Sequence, residues 1–318
     1  MDLTPANTAA VEMNAVHVGD AAELMKRLPE ASIDFSVWSP PYSVGKEYER
    51  GQDHAAWEAL ITGVLREHAR VLRPGRFVAV NIADILCFAD EAMPRVQAEN
   101  VSGANRLSIT REQVLEAKAA HPGLNRYGLA ELLGVSEQTI DRRLNHNNIR
   151  GGKPMAQTRV KLVGSILEAA AYDAGLYLYD QRVWAKDPCW ANSRWHSNSY
   201  RAVDEFEHVF VFWRPGITKV DRGRLSADEW RDWGSRGIWQ IPSVRANDDH
   251  EAKFPIELPR RLIRLFTDPG DVVLDPFLGS GTSAVAAVEL GRGYVGFELS
   301  AAYAALARER VAAVSVGA

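Results

Sequence analysis

Short apolar, β-branched runs alternate along the chain with segments whose apolar residues recur every three or four positions. The runs Ala15 to Val18, Ile33 to Trp38, Phe77 to Ile82 and Tyr177 to Trp184 read as strands. So do Val209 to Trp213, Val272 to Leu274 and Tyr294 to Phe297. The amphipathic segments Ala21 to Leu28, Trp57 to Val71, Leu162 to Ala174, Leu258 to Phe266, Thr282 to Leu290 and Tyr303 to Val311 read as helices. Strand–helix alternation of this kind predicts a doubly wound α/β sheet. Leu72-Arg73-Pro74-Gly75 and Thr267-Asp268-Pro269-Gly270-Asp271 are expected to be tight turns feeding the next strands. No repeat or low-complexity segment interrupts the pattern.

One stretch breaks the alternation. From about Met93 to Gln157 the sequence is helical, polar and basic, with no strand signal of its own. The expected organisation is therefore a first part of an α/β body over 1–92, a helical insertion over 93–160, and the second part of the body over 161–318. Within the insertion, Arg126 to Asn145 is patterned as a helix-turn-helix. Ala130 takes the packed position of the first helix, Gly134 the turn, Ser136 the N-cap and Ile140 the anchor of the second helix. Gln138, Thr139, Arg142 and Arg143 then fall on or near the outward side of that second helix, where base edges and phosphates are read. A small helical hairpin packed on the core is the competing reading.

Composition narrows the class. At 318 residues the chain can bury a large core, and its formal net charge of −4 excludes a global basic field, so any polyanion must be met by local patches. Cys87 and Cys189 are too few for a disulfide scaffold and too far apart for a zinc site, so no metal is expected, and a reducing cytoplasm fits best. Neither a leader-like amino terminus nor a membrane-length apolar run is present in the sequence.

Two motifs carry chemistry. Ser39-Pro40-Pro41-Tyr42 follows the apolar run ending at Trp38. Proline removes backbone donors and stiffens the turn, so the carbonyls of Ser39 and Pro40 are held outward with no N–H of Pro40 or Pro41 beside them. Such a site can accept hydrogen bonds from an amino group while Tyr42 offers a flat face, which suits a nucleobase. Taken alone, the four residues fit a plain strand-to-loop turn as well. The second motif, Asp275-Pro276-Phe277-Leu278-Gly279-Ser280-Gly281-Thr282, joins a strand to a helix, and Glu298 ends the following strand, where a carboxylate can take both hydroxyls of a ribose. The third glycine of a dinucleotide fingerprint is missing, as is the Gly-Lys-Ser/Thr of a phosphate loop. A nucleoside without a pyrophosphate remains, and S-adenosylmethionine fits that description.

Together these motifs resemble those of the amino-methylating DNA methyltransferases in which the catalytic motif precedes the cofactor motif, the permuted β group. Val18-Gly19-Asp20, Ser39 to Tyr42, Val71 to Gly75, His250 to Pro255, Asp275 to Thr282 and Gly291 to Glu298 match the family's motifs in its permuted order. The resemblance implies a seven-stranded Rossmann-like sheet with an inserted target-recognition domain, S-adenosylmethionine as cofactor and double-stranded DNA as partner. It implies base contacts from Ser39, Pro40, Pro41 and Tyr42. It implies cofactor contacts from Asp20, Lys253, Asp275, Phe277, Gly279, Ser280, Gly281, Thr282 and Glu298. Serine at position 39 goes most often with cytosine in this family, and aspartate with adenine. Pro188-Cys189 stands too far past the fourth strand of the family to serve carbon-5 methylation, and Cys87 reads as a small buried residue.

Weaker signals stay open between two readings. Lys186, Trp190, Arg194, Trp195, His196, Tyr200 and Arg201 interleave cations with aromatics, as phosphate-tracking surfaces do, or as a loop packed by its tryptophans does. Lys186 and Arg194 are the DNA contacts expected there. Arg150, Lys153, Arg159 and Lys161 could grip phosphates or form a solvated face, and Tyr48 could line the base pocket or simply pack. Trp230, Trp233 and Trp239 are expected to pack a helical connection on the core. A homodimer and a separately acting restriction endonuclease are open as partners. Adenine as target, and a non-catalytic DNA-binding regulator, are the alternative functions.

Overall fold

The computed structural model describes residues 10–41, 54–88, 109–145, 159–188, 202, 204–244 and 254–315. The chain runs β1 (Ala15–Val18), α1 (Ala21–Met25), β2 (Ile33–Trp38), α2 (His54–Val71), β3 (Leu72–Ile82) and β4 (Ile85–Phe88). Next come α3 (Arg111–Ala120), α4 (Arg126–Leu132), α5 (Glu137–Asn145), β5 (Arg159–Lys161), α6 (Val163–Asp173), β6 (Tyr177–Ala185) and β7 (Phe206–Trp213). It ends with α7 (Ala227–Glu229), β8 (Ile238–Gln240), α8 (Glu257–Phe266), β9 (Val272–Asp275), α9 (Thr282–Glu289), β10 (Gly293–Glu298) and α10 (Ala301–Ser315). Two compact units result. One comprises Met1–Leu86, Val160–Pro188 and Glu205–Ala318, the other Cys87–Arg159 and Cys189–Asp204. Among the described residues no helix is long and apolar enough to cross a membrane.

The first unit is built on an eight-stranded sheet of order β1-β10-β9-β2-β3-β7-β6-β8. From β1 to β3 neighbouring strands are parallel, and β7 then enters antiparallel between β3 and β6. The seven expected strands are all present. The eighth, β8, adds parallel to Val183–Ala185 of β6 and was not legible, because only Trp239 of its three residues is buried. A second difference concerns Leu72 to Gly75, which belongs to β3 rather than to a free turn. The ladder with β2 slips between Ile33 and Phe35 to accommodate Pro74 and the left-handed Gly75.

Every residue of β2 is buried, because helices cover both faces of the sheet. On one face Phe35, Val37, Phe77, Ala79 and Val273 meet Leu258, Leu262 and Ile263 of α8, Ala284 to Ala287 of α9, and Ala304, Ala307 and Val311 of α10. On the other, α2 buries Trp57, Ile61, Val64, Leu65 and His68. Fully burying one such aromatic or aliphatic side chain contributes about 1.5–3 kcal/mol. Asp34 is the charged exception within β2. It accepts from Arg73 at 2.7 Å and from the backbone N–H of Val272 at 2.9 Å, which ties β2 to both its neighbours. Trp233 and Trp239 are core residues as expected, set edge-to-face at 6.1 Å.

The second unit has its own small core of Val114, Leu129, Ala130 and Ile140. Thr110 caps α3 in a capping box, and Asn125 caps α4 through the N–H groups of Tyr127 and Gly128. Gly134 turns the chain at φ +63°, and the Ser136 hydroxyl accepts from the Thr139 N–H at 3.3 Å to start α5. The helix-turn-helix geometry read from the sequence is thus present over Arg126–Asn145.

Candidate active site

The parallel strands β1, β10, β9 and β2 end side by side, with Val18 opposite Glu298 and Ser36 opposite Leu274. Their carboxyl ends carry, in that order across the sheet, Asp20, Glu298, the glycine loop and Ser39-Pro40-Pro41. Ligands of open α/β sheets bind at such an edge. Sequence distances of more than 230 residues collapse here: Trp38, the residue before Ser39, lies 5.4 Å from Phe277 of the glycine loop, ring centre to ring centre.

The glycine loop is strapped from three sides. Leu278 N–H donates to the Phe297 carbonyl at 2.8 Å, and Gly279 N–H to Glu298 Oε2 at 2.8 Å. From α10, Arg310 donates to the Ser280 carbonyl at 2.7 Å and to Ser280 Oγ at 2.8 Å. Gly281 stands at φ +88°, and a Cβ there would lie 2.9 Å from Ala307 Cβ. Both conditions demand glycine. Asp275 accepts from Phe277 N–H at 2.9 Å and from the Ser283 hydroxyl, so it shapes the loop from within. Ser280 and Thr282 are buried toward Arg310, and their expected ligand contacts are left to the backbone.

Glu298 is differently placed. One oxygen takes the Gly279 N–H and the other the Ser300 N–H at 2.7 Å, which fixes the carboxylate plane. A carboxylate accepts about four hydrogen bonds, so this anchoring is compatible with a diol. Leu299 follows it at 72% exposure, and Val18 on the neighbouring strand is 46% exposed. This apolar pair beside an acid, where a ring could lie, was missed in the sequence because neither residue belongs to a motif. Asp20 caps α1 through the Glu23 N–H at 3.0 Å and is exposed at the same edge.

At the base motif, Ser39 Oγ donates to the Asn81 carbonyl at 2.8 Å. With its proton so committed, this oxygen can only accept toward a substrate. The Pro41 carbonyl accepts from the indole N–H of Trp57 at 2.6 Å. Behind Asn81, its side-chain amide donates to Glu207 at 2.7 Å, and Glu207 also takes Lys186 at 2.7 Å. This corrects the expectation for Lys186: its side chain is 13% exposed and its ammonium serves a buried ion pair, not a phosphate-facing surface. Tyr42, Tyr48, His250, Lys253, Arg150, Lys153, Cys189, Trp190, Arg194, Trp195, His196, Tyr200 and Arg201 lie outside the described residues, as do the side chains of Cys87, Gln138, Arg142 and Arg159. Arg143 is exposed, Thr139 bonds Ser136 through its hydroxyl, and Lys161 pairs with Glu58.

Two buried titrating groups flank β9. Burial pushes Asp275 up to about 7, with Glu298 adding to the rise, and pushes His68 down to about 4. His68 Nδ1 faces the Val64 carbonyl and Nε2 faces Ser36 Oγ, which also reaches the Leu274 carbonyl, all at 2.8 Å. A neutral imidazole and one hydroxyl supply two protons for these three contacts. Since only a donor can face Val64, the neutral ring carries its proton on Nδ1.

The two shifts act oppositely on stability. Folded Asp275 keeps a proton that the unfolded chain gives up near its usual value, so its contribution is present at low pH and lost as pH rises toward 7. Folded His68 refuses a proton that the unfolded chain accepts below about 6.5, so its contribution is lost as pH falls toward 4. Asp275→Asn removes the first effect. Its stability should therefore rise with pH between about 4.5 and 6.5 more steeply than wild type, by up to about 1.4 kcal/mol per pH unit. Denaturant titration across that range checks this, and parallel slopes would mean that Asp275 ionises normally.

With this geometry in place, the comparisons with known proteins decide the family. A model described as DNA methylase, of N6/N4 methyltransferases, matches residues 33–309. The chain belongs to the DNA methylase family. This methyltransferase is 56% identical over 305 residues to the type II methyltransferase M.BglI of Bacillus subtilis, across 96% of this chain and 87% of that one. It is 26% identical over 308 residues to the type II methyltransferase M.XycI of Xanthomonas campestris pv. cyanopsidis, across 92% and 86%. Among solved structures it is similar to TTHA0409 of Thermus thermophilus complexed with S-adenosyl-L-methionine, at a TM-score of 0.62 and 26% identity over 96% of each chain. The PvuII DNA methyltransferase, cytosine-N4-specific, shares the fold at a TM-score of 0.62 and 18% identity, over 95% of this methyltransferase and 88% of that chain.

Proposed function

We propose that this methyltransferase transfers a methyl group from S-adenosyl-L-methionine to the exocyclic amino group of cytosine within a specific sequence of duplex DNA. The observation that carries the reading is the contact between Trp38 and Phe277, which sets the base motif of β2 beside the glycine loop of β9. The order in which the chain supplies β1, β2 and β3 before β9 and β10 supports the permuted arrangement.

S-adenosyl-L-methionine is the cofactor of this enzyme. The site fits it: Glu298 is held in one plane for a ribose diol, Val18 and Leu299 offer apolar surface beside it, and Gly281 opens the loop with a conformation other residues resist. Asp20 and Lys253 complete the proposed set. When bound, the cofactor supplies an electrophilic methyl on a sulfonium centre.

The chain's own task is the nucleophile. The amino nitrogen of cytosine is poor because its lone pair is delocalised into the ring. Ser39 Oγ, made an acceptor by its bond to Asn81, and the Pro40 carbonyl take the amino hydrogens, orient the nitrogen and stabilise the positive charge that grows on it. Tyr42 stacks on the base, which must first leave the duplex because its amino group is unreachable there. The helix-turn-helix of the insertion (93–160) reads the sequence through the outward side of α5, with Gln138, Thr139, Arg142 and Arg143, while Arg194 grips the backbone. The identity to a type II methyltransferase supports a companion restriction endonuclease.

The test is transfer of labelled methyl from S-adenosyl-L-methionine to unmethylated duplex DNA, followed by nucleoside analysis. N4-methylcytosine is expected. N6-methyladenine would overturn the target base, and an enzyme that binds cofactor but labels no DNA would overturn the activity.

A further inference from the structure

We infer that Trp57 is a positioning residue for the base-binding motif, locking the one backbone torsion between Ser39 and Tyr42 that the prolines leave soft; this rests on the methyltransferase reading above. Proline fixes φ at positions 40 and 41. A residue that precedes proline is confined to extended ψ, and both Ser39 and Pro40 precede one. Position 41 is followed by tyrosine, so its ψ has no such restraint. That torsion aims both the Pro41 carbonyl and the bond leading to Tyr42.

The Trp57 indole holds the Pro41 oxygen at 2.6 Å. Its ring is fully buried in the first turn of α2 and stacked on His54, centroids 5.4 Å apart at 17°. His54 is braced in turn by Glu58 at 2.9 Å and by Lys161, which also meets Glu58 at 2.7 Å. A donor so immobilised fixes its acceptor's direction as well as its distance. Ser39 Oγ is pinned separately by Asn81, so the motif is anchored at both ends and its Pro40 carbonyl is held between them.

The decisive variant keeps the ring and deletes the donor. Replacing Trp57 by 3-benzothienylalanine through nonsense suppression puts sulfur where the N–H stood, and Trp57→Phe provides a genetically simple partner. Single-turnover methyl transfer to unmethylated phage DNA should fall about tenfold in both, the scale of one hydrogen bond expressed at the transition state. The dissociation constant for S-adenosyl-L-methionine should not change, and the unfolding midpoint should move by a few degrees at most. A benzothienyl enzyme as fast as wild type would overturn the inference, whatever Trp57→Phe does, because the loss would then come from ring volume. A rate that falls only in step with cofactor affinity would overturn it too, since a general loosening predicts that. If wild type itself labels no DNA, the underlying activity fails first and the inference with it.

Discussion

Ser39→Ala should cut the single-turnover rate of methyl transfer by about 10²–10³-fold while leaving the dissociation constant for S-adenosyl-L-methionine unchanged. The hydroxyl proton of Ser39 lies on the Asn81 carbonyl, so the oxygen faces outward as an acceptor. An acceptor helps most when the amino group has become cationic, which happens in the transition state and not in the bound ground state. Alanine also leaves the Asn81 carbonyl without its Ser39 partner, at a cost of about 1 kcal/mol to the fold. Ser39→Asp separates the two effects, because a carboxylate keeps an acceptor at the site, and it should retain more activity than Ser39→Ala. Equal rates for wild type and Ser39→Ala would remove Ser39 from the chemistry.

Gly281→Ala carries the second large effect, and it falls on the cofactor. The left-handed conformation at φ +88° costs an alanine about 1–2 kcal/mol, and the new Cβ would sit 2.9 Å from Ala307 Cβ and 3.0 Å from its Cα. The backbone of α10 cannot yield cheaply, so the sum should reach about 2–4 kcal/mol, read as a lower unfolding midpoint and weaker binding of S-adenosyl-L-methionine by calorimetry. Ala307→Gly in the same chain relieves the overlap but not the torsion. The double variant should therefore recover part of the loss, and additive effects would show that the helix is not what opposes the alanine.

The main strands were legible because strands covered on both faces concentrate apolar residues, as β2 does over Ile33–Trp38. Short β8 lacks that concentration, and the pairing of Leu72 with Ile33 ahead of Gly75 depends on a neighbour that local turn chemistry ignores. At the site, the motif residues announced themselves by unusual chemistry within a few positions. Arg310, Trp57 and Asn81 did not, since each reaches its partner from a different element and follows no local pattern. Lys186 was misread for a related reason. A cation among aromatics has the same sequence signature whether it meets phosphate or, as here, a buried Glu207.

The place of β9 has a consequence for how the molecule assembles. This strand sits between β10 and β2, yet Leu274 pairs with Ser36 from 238 residues farther along the chain. During synthesis, β2 and β3 leave the ribosome with one edge of the future sheet still without its partner, and an apolar edge of that kind invites pairing with other chains. Contacts of such sequence separation slow folding. The cofactor loop and the strand that closes the sheet then arrive together, so the nascent protein gains its methyl-donor site and loses its most aggregation-prone edge in the same late step.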